Sequence, residues 1–266
     1  MDRRGVSSLD TLELYEASLL ATFSAFICPD VERIRFAVLA PDATTAPDSS
    51  LSYMFQSAVR TFGNARSRFF VGAKGWDPDE VIRDLETATE PVALVGTAFA
   101  FVHLIDRLEE RARSRSLPTG SRVMETGGFK GRSRELSRDE LHAAISLRLG
   151  LGAERIVNQY GMCELASQFY EPTLRTGVPT RSKQAAPWLR TRVIDPETLD
   201  EVPAGEAGML VHYDLANTGS ALAVQTSDRG RLGPAGLELL GRLEGAEARG
   251  CSIAADAMLA GEAPPV

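Results

Sequence analysis

Asn158-Gln-Tyr-Gly-Met-Cys-Glu164 is the stretch of this 266-residue chain that says most about its fold. It follows a short apolar step, Arg155-Ile-Val157, which is typical of a buried strand. Gly161 allows a sharp backbone turn, which places Tyr160 and Glu164 on the two sides of a strand-exit loop. Open α/β sheets bind nucleotides in loops at the carboxyl ends of strands. The stretch therefore predicts either a nucleotide loop, with an aromatic ring for a base and a carboxylate for a metal ion, or an ordinary surface turn.

Helix and strand patterns alternate upstream of this stretch, and the pattern changes after it. The predicted helices are Leu12–Phe26, Leu51–Phe62, Asp77–Thr87, Ala98–Arg113 and Ser137–Leu149, the last with the capping box Ser137-Arg-Asp-Glu140. The predicted strands between them are Arg33–Leu39, Arg68–Val71, Pro91–Val95 and Arg122–Met124. Short strands follow downstream, at Leu189–Ile194, Gly208–Tyr213, Leu222–Gln225 and Leu237–Leu240. We therefore predict an α/β fold in which βαβ units are followed by a more antiparallel region.

Composition limits the class of protein. The length suits one large core, or one domain with a small appendage. A net charge of −7 argues against a general binder of nucleic acids or anionic membranes. Cys28, Cys163 and Cys251 are too few and too scattered for a disulfide framework or a zinc site. No apolar run reaches membrane-spanning length, and Met1–Gly5 lacks the apolar segment of a secretory signal, so the expected compartment is cytoplasmic.

Three further motifs flank the opening stretch. Glu125-Thr-Gly-Gly-Phe-Lys-Gly131 is a glycine-rich turn directly after a predicted strand. Gln225-Thr-Ser-Asp-Arg-Gly230 ends another strand with an aspartate suited to accepting hydrogen bonds from paired hydroxyls, and Gly241-Arg-Leu-Glu-Gly245 follows. Each motif alone is also compatible with simple turn chemistry, but in this order and spacing they predict one binding site. His103, His142 and His212 have no partner at metal-ligand spacing and are predicted to be packing residues.

Together these motifs resemble those of the adenylate-forming enzymes, and within them the LuxE-type acyl-protein synthetases. Three other segments resemble the LuxE-type branch: Ser49-Ser-Leu-Ser-Tyr-Met54, Val95-Gly-Thr-Ala-Phe-Ala-Phe101 and Glu247-Ala-Arg-Gly-Cys-Ser252. The resemblance extends from Thr11 to Met258. It implies the large-domain fold of adenylate-forming (ANL-like) enzymes. It also implies a domain over residues 1–240 that binds ATP and acyl-adenylate, and a short C-terminal segment, 241–266, that carries an acyl-accepting cysteine.

The resemblance assigns the opening stretch to ATP and Mg²⁺. Tyr160, followed by Gly161, stands where the superfamily stacks an aromatic ring on adenine. Glu164 stands where the superfamily has its magnesium-binding glutamate. Cys163 replaces the usual threonine, and because a thiol is a weaker hydrogen-bonding group than a hydroxyl, the resemblance implies weaker nucleotide contacts there.

The other motifs are assigned in the same way. Asp228 matches an aspartate that binds the ribose hydroxyls, and Arg242 an arginine that reaches the ribose or phosphates. Gly127-Gly128 resembles a loop that lines the adenine and acyl pocket. Cys251 follows Arg249-Gly250, and a nearby cation favours the nucleophilic thiolate. The alternative for Cys251 is a buried, inert side chain.

The activity implied is ATP-dependent conversion of a fatty or related (aryl) carboxylic acid to an acyl-adenylate, followed by acyl transfer to Cys251. From there the acyl group would pass to an acyl-accepting or reductase protein partner. Two alternatives stay open: a phenylacetate–CoA-ligase-like enzyme that transfers the acyl group to coenzyme A, and a degenerate, non-catalytic subunit that binds a partner. The superfamily's Ser/Thr/Gly-rich phosphate loop precedes the helix near Leu12, and only Arg3-Arg4-Gly5 stands there. The sequence is therefore expected to have a late start, to be a fragment, or to have impaired catalysis.

Overall fold

Five parallel strands and one antiparallel strand form the first sheet of the computed structural model, which describes residue 9 and residues 11–127, 136–243 and 252–259. The strands are β1 (Arg35–Pro41), β2 (Arg68–Val71), β3 (Val92–Thr97), β4 (Arg122–Thr126), β5 (Ile156–Tyr160) and β6 (Phe169–Tyr170). Their order is β2-β1-β3-β4-β5-β6, and β6 is the antiparallel member. Because consecutive parallel strands need crossover connections, this arrangement follows from the alternating helix and strand pattern.

Helices cover both faces of the first sheet. They are α1 (Glu13–Ile27), α2 (Ser50–Phe62), α3 (Pro78–Glu86), α4 (Ala98–Glu110) and α5 (Arg138–Leu149), followed by the short α6 (Thr173–Thr176) and by α7 (Ser252–Leu259). Along β1, Phe36 and Val38 join the core formed with α1 and α2, whereas Ala37 and Leu39 join the core formed with α3, α4 and α5. This alternation is what a strand buried on both faces requires. None of the described helices is both long and apolar enough to span a membrane.

The second sheet is antiparallel throughout its described strands, in the order β10-β9-β8-β7. They are β7 (Leu189–Ile194), β8 (Ala207–Asp214), β9 (Ala223–Gly233) and β10 (Gly236–Arg242). A small apolar core lies between this sheet and the segment that follows β5, and it includes Leu165, Phe169, Leu189, Leu210 and Leu237. The predicted change from βαβ units to an antiparallel region is therefore confirmed.

The prediction that the strand at Leu222–Gln225 ends in a turn at residues 226–230 is wrong. The strand continues to Gly233, and residues 226–228 form an irregularity in its pairing with β8. Val211 pairs with Gln225 and Met209 with Arg229. An advance of four residues along β9 therefore corresponds to an advance of two residues along β8. The Thr226 hydroxyl stabilises this bulge, because it donates to the Leu210 carbonyl at 3.0 Å and accepts from the Asp228 amide at 3.0 Å. Such bulges redirect the side chains they contain.

A two-residue link joins the sheets edge to edge. Gln184 exchanges backbone hydrogen bonds with Tyr170 of β6, at 2.8 and 2.9 Å, and Lys183 exchanges them with Leu237 of β10, at 2.7 and 2.9 Å. Gly236 makes the close approach possible, since it has φ of +128° and a Cβ atom there would lie 2.3 Å from the Lys183 carbonyl oxygen. Hydrogen bonding therefore runs from β5 through β6 and this link into the second sheet, which positions the two sheets relative to each other.

Helix α7, which was not predicted, packs against β1, β3 and α4. Ala255 belongs to the core on the α1 and α2 side, whereas Met258 and Leu259 belong to the core on the other face. A helix that reaches both cores passes over the ends of the strands, and Gly75, which follows β2, lies beside the Met258 carbonyl. The helix therefore lies at the carboxyl ends of β1 and β3. The division of the chain at residue 240 stays a prediction.

Candidate active site

The carboxyl end of β5 meets β9 and β10 at a cluster of three predicted site residues. Tyr160, the last residue of β5, donates its phenol hydrogen to Asp228 Oδ2 at 2.8 Å. Asp228 lies in the β9 bulge and faces Arg242 of β10, whose Nε is 3.1 Å from Asp228 Oδ1. The structure therefore brings together an aromatic ring, a carboxylate and a guanidinium group that are far apart in the sequence.

Other aromatic side chains surround the Tyr160 ring. The ring centroid of Phe169 is 5.5 Å away and that of His212 is 5.9 Å away. Burial, and to a smaller degree the Asp228 carboxylate, hold the pKa of Tyr160 above its usual range, so the phenol keeps its proton at neutral pH. Tyr160 therefore offers a fixed, neutral ring at the strand end, with a geometry suited to contact with a flat ligand.

His212, predicted only as a packing residue, also takes part in this hydrogen-bond network. Its Nε2 atom lies 3.4 Å from the Tyr160 phenol oxygen, and its Nδ1 atom lies 2.9 Å from the Thr191 hydroxyl oxygen. His212 is completely buried in β8, and burial lowers the pKa of its imidazole to about 4. The imidazole is therefore neutral over the physiological pH range.

This neutral histidine predicts a loss of stability in acid. The pKa of His212 is about 4 in the folded chain against 6.5 in the unfolded chain. The unfolded state therefore binds the proton first as the pH falls from about 6.5 to about 4. We expect His212 to remove about 3 kcal/mol from the free energy of unfolding over this interval. Urea titrations between pH 7 and pH 4 test this, since the fall in the free energy of unfolding over this range should be about 3 kcal/mol smaller in His212→Gln. An identical fall in the variant would contradict the assignment.

The segment after Tyr160 places Gly161, Cys163 and Glu164 on one side of the site. Gly161 is half-buried, and a Cβ atom there would lie 2.8 Å from the Gln159 side-chain amide. Cys163 is exposed, and its sulfur lies 3.4 Å from the Ser50 hydroxyl at the start of α2. The Glu164 carboxylate is exposed and close enough to Tyr160 to contribute to raising its pKa. A carboxylate thus lies near enough to Tyr160 to act on its phenol electrostatically.

Asp214, which was not predicted, anchors this segment from the end of β8. Its carboxylate accepts hydrogen bonds from the amides of Ala166 and Ser167, at 3.0 and 2.8 Å, and from the Ser167 hydroxyl at 2.8 Å. The Ala216 amide donates a fourth, at 3.0 Å. Nearby, Asn217 donates to the Glu164 carbonyl at 2.7 Å. Because Asp214 has no exposed surface, these donors depend on it for their partner.

The carboxyl end of β4 lies beside β5 and forms the neighbouring part of the site. The Thr126 hydroxyl donates to the side-chain oxygen of Gln159 and lies 3.2 Å from the Gln159 backbone carbonyl oxygen, next to Tyr160. Gly127 follows with φ of +86°, a conformation that favours glycine. Gly128 and Cys251, the remaining predicted site residues, lie outside the described residues.

A buried charged network supports the ends of β4 and β5. Asn158 of β5 donates its side-chain amide to Glu125 of β4 at 2.6 Å and its backbone amide to Glu171 at 3.0 Å. Glu171 also pairs with Arg138 and Lys183, at 2.5 and 3.3 Å. Burial raises the pKa of Glu171, and the two cations oppose that shift. Both carboxylates are buried, so their partners hold the two strand ends in register.

One signal in the sequence pointed to some of the missed residues. Leu210, His212 and Asp214 alternate along β8 and are all buried. Two polar side chains on the buried face of a strand require hydrogen-bond partners, which is a reason to assign them more than packing. Glu171 and Lys183 carry no such local pattern. Within the described ranges, no three or more His, Cys, Asp or Glu side chains are grouped to hold a metal ion.

The model of the family described as "Acyl-protein synthetase, LuxE" matches residues 38–260. This chain belongs to that family. Two curated relatives are the long-chain-fatty-acid–luciferin-component ligases of Vibrio harveyi, 24% identical over 149 residues, and Aliivibrio fischeri, 26% identical over 150 residues. Each match covers 55% of this chain but only 38% of the relative, so this LuxE-family chain spans well under half the length of those relatives.

Solved structures establish the fold. The ATP-bound MatB from Rhodopseudomonas palustris superposes with a TM-score of 0.60 and 22% identity, covering 86% of this chain and 44% of MatB. A long-chain-fatty-acid–CoA ligase from Archaeoglobus fulgidus gives a TM-score of 0.64 at 15% identity, covering 90% of this chain and 49% of the ligase. The predicted adenylate-forming fold and the LuxE-type resemblance are therefore confirmed.

Proposed function

We propose that this chain activates a fatty or related carboxylic acid with ATP and transfers the acyl group to a protein cysteine. The observation that carries this proposal is the convergence of Tyr160, Asp228 and Arg242, with a hydrogen bond of 2.8 Å and an ion pair of 3.1 Å. Membership of the acyl-protein synthetase family supports the choice of acid and acceptor. The names of the two relatives, ligases of a long-chain fatty acid, support a fatty acid as substrate.

The three converging residues suit the adenosine part of ATP. The Tyr160 ring is placed to stack on adenine, and the Asp228 carboxylate to accept hydrogen bonds from the two ribose hydroxyls. Arg242 would orient Asp228 and reach the ribose or the phosphates. The phosphates would extend towards Glu164, whose exposed carboxylate fits a magnesium site, since Mg²⁺ is commonly held by one or two carboxylates together with substrate phosphates.

The first step would form a mixed anhydride. A carboxylate oxygen of the acid attacks the α-phosphorus of ATP, the bond from that phosphorus to the β-bridging oxygen breaks, and pyrophosphate leaves. The bound magnesium ion would offset negative charge on the phosphates. The protein would hold the adenosine so that the α-phosphorus faces the carboxylate of the acid. This positioning lowers the activation barrier of the attack.

The second step would transfer the acyl group to Cys251. The thiolate attacks the carbonyl carbon of the acyl-adenylate, the bond to the phosphate oxygen breaks, and AMP leaves with a thioester on the protein. Helix α7 begins at the next residue, Ser252, and lies at the carboxyl ends of β1 and β3, the same edge of the sheet as Tyr160. We also propose that a partner protein, such as a reductase, takes the acyl group from the thioester.

ATP–pyrophosphate exchange tests the first step. We expect exchange that depends on added fatty acid, and Asp228→Ala should raise the KM for ATP about 100-fold. This change removes two ribose contacts and leaves Arg242 without its carboxylate, and hydrogen bonds to charged groups are worth about 1.5–3 kcal/mol each. Asp200→Ala, at an exposed aspartate of the second sheet's β7–β8 connection, is the matched control. Absence of fatty-acid-dependent exchange in the unaltered chain, or equal KM values in both variants, would refute the proposal.

A further inference from the structure

We propose that His212 and Thr191 are positioning residues that hold the Tyr160 phenol in place for nucleotide binding, an inference that rests on the proposed function. Neither residue belongs to the motifs that suggested the site. They lie on the second sheet, Thr191 in β7 and His212 in β8, whereas Tyr160 ends β5 of the first sheet. The contacts of 2.9 and 3.4 Å through the imidazole therefore connect the two sheets at the site.

The hydrogen bonds have a defined direction. The Tyr160 phenol has one proton and donates it to Asp228 Oδ2, at 2.8 Å the shorter of its two contacts. The phenol oxygen then accepts from His212 Nε2, which must carry the hydrogen of the neutral imidazole. Nδ1 is consequently the acceptor, and the Thr191 hydroxyl donates to it at 2.9 Å. This series of hydrogen bonds runs from Thr191 through His212 and Tyr160 to Asp228 Oδ2. Arg242 forms an ion pair with the other carboxylate oxygen, Asp228 Oδ1.

Thr191 sets the tautomer of His212 in this arrangement. Without its hydroxyl, the tautomer with the hydrogen on Nε2 loses the hydrogen bond at Nδ1 that favours it, so the tautomer with the hydrogen on Nδ1 gains population. Nε2 then becomes an acceptor and competes with Asp228 for the phenol proton. The Thr191 hydroxyl therefore controls the orientation of the phenol, and with it the lone pairs of Asp228 that would face the ribose. It does so without touching the nucleotide.

The aromatic packing makes this control effective. His212 and Phe169 both pack against the Tyr160 ring, with centroids 5.9 and 5.5 Å away, and lie 5.2 Å from each other. The ring is thus supported by neighbours that belong to both sheets, and its hydroxyl is held at two points. A ring fixed before the ligand arrives loses less conformational entropy on binding, so affinity rises without a new ligand contact.

A pair of variants at position 191 separates positioning from packing. Thr191→Val keeps the volume and removes the hydroxyl, whereas Thr191→Ser keeps the hydroxyl and removes the methyl group. Measured by ATP–pyrophosphate exchange, Thr191→Val should raise the KM for ATP about three- to tenfold, as expected for one hydrogen bond. The kcat and the KM for the fatty acid should stay near the values of the unaltered chain. Thr191→Ser should restore the KM for ATP.

A double-mutant cycle with Tyr160→Phe tests whether the effect passes through the phenol. Without the phenol oxygen, His212 has no acceptor on Tyr160, so adding Thr191→Val should cause no further rise in the KM for ATP. His212→Leu should likewise have its full effect on this KM only when Tyr160 is present. Multiplicative effects of Thr191→Val and Tyr160→Phe, or equal KM values for Thr191→Val and Thr191→Ser, would overturn the inference. An unaltered chain without exchange would refute the proposed function itself, and this role with it.

Discussion

Cys251→Ser is expected to abolish covalent labelling of the chain by a radioactive fatty acid in the presence of ATP. The thioester requires a thiolate, and a serine hydroxyl at this position has no general base assigned to it and is a far weaker nucleophile at neutral pH. Neighbouring strands lie about 4.8 Å apart, so the strands that α7 covers, β1 and β3, are within about 10–15 Å of β5. Helix α7 therefore lies at the same edge of the sheet as the proposed adenylate. Gel autoradiography, with release of the label by neutral hydroxylamine, is the measurement.

The matched control is Cys163→Ser, because Cys163 is exposed and lies in the loop beside Tyr160. This variant should keep the label, since Cys163 matches a position of nucleotide contact. ATP–pyrophosphate exchange should persist in Cys251→Ser, because adenylate formation precedes the thiol step. Retained label in Cys251→Ser would contradict the assignment, and transfer of the acyl group to added coenzyme A by this variant would favour the CoA-ligase alternative.

Asp214→Ala should lower the free energy of unfolding by about 4 kcal/mol. The change leaves the buried amides of Ala166 and Ser167 and the half-buried amide of Ala216 without their acceptor, and each unsatisfied buried donor costs about 1–3 kcal/mol, less than additively. The segment from Gly161 to Gln168 should lose its fixed position, so the KM for ATP should rise in the same variant. Urea-induced unfolding followed by circular dichroism measures the stability change.

Asp195→Ala supplies the comparison for that measurement. Asp195 also accepts two backbone amides, from Glu197 at 2.8 Å and Thr198 at 3.0 Å, but in a half-buried turn of the second sheet. Water can replace the carboxylate there, so we expect a much smaller loss of unfolding free energy than in Asp214→Ala. Similar losses in the two variants would show that Asp214 does not have the structural role assigned to it.

The parallel strands of the first sheet and the helices between them followed from local patterns, whereas β6 was not predicted. The helices there are longer runs with apolar side chains at helical spacing, and the strands β1 and β3 are short apolar runs, so the alternation of βαβ units could be predicted from sequence. The capping box at Ser137 was confirmed in detail, because the Ser137 hydroxyl accepts from the Glu140 amide at 3.3 Å and Glu140 accepts from the Ser137 amide at 2.6 Å. Such signals involve residues within one helical turn, so they are present in the sequence itself.

In the candidate site, sequence motifs indicated some residues but not the side chains that support them. Tyr160, Asp228 and Arg242 were chosen from motifs, and the structure brings them within hydrogen-bonding distance. Two supporting side chains were missed: His212, which contacts the Tyr160 phenol, and Asp214, which anchors the segment after Tyr160. They contact residues far away in the chain, and a single histidine or aspartate in a strand has no spacing that reveals its partner. The β9 bulge was also missed, since Thr226-Ser-Asp228 resembles an ordinary turn until its pairing with β8 is seen.

Short-range periodicity and recognisable motifs were enough to predict the class of fold, the alternation of helices and parallel strands, and the residues that we propose for ATP binding. The tertiary structure alone decided how the two sheets meet. That junction depends on Lys183 and Gln184 pairing with strands on either side of them and on the left-handed conformation of Gly236. Hydrogen bonds between residues so distant in the chain form only once the backbone is folded, and they are what place Asp228 and His212 against Tyr160.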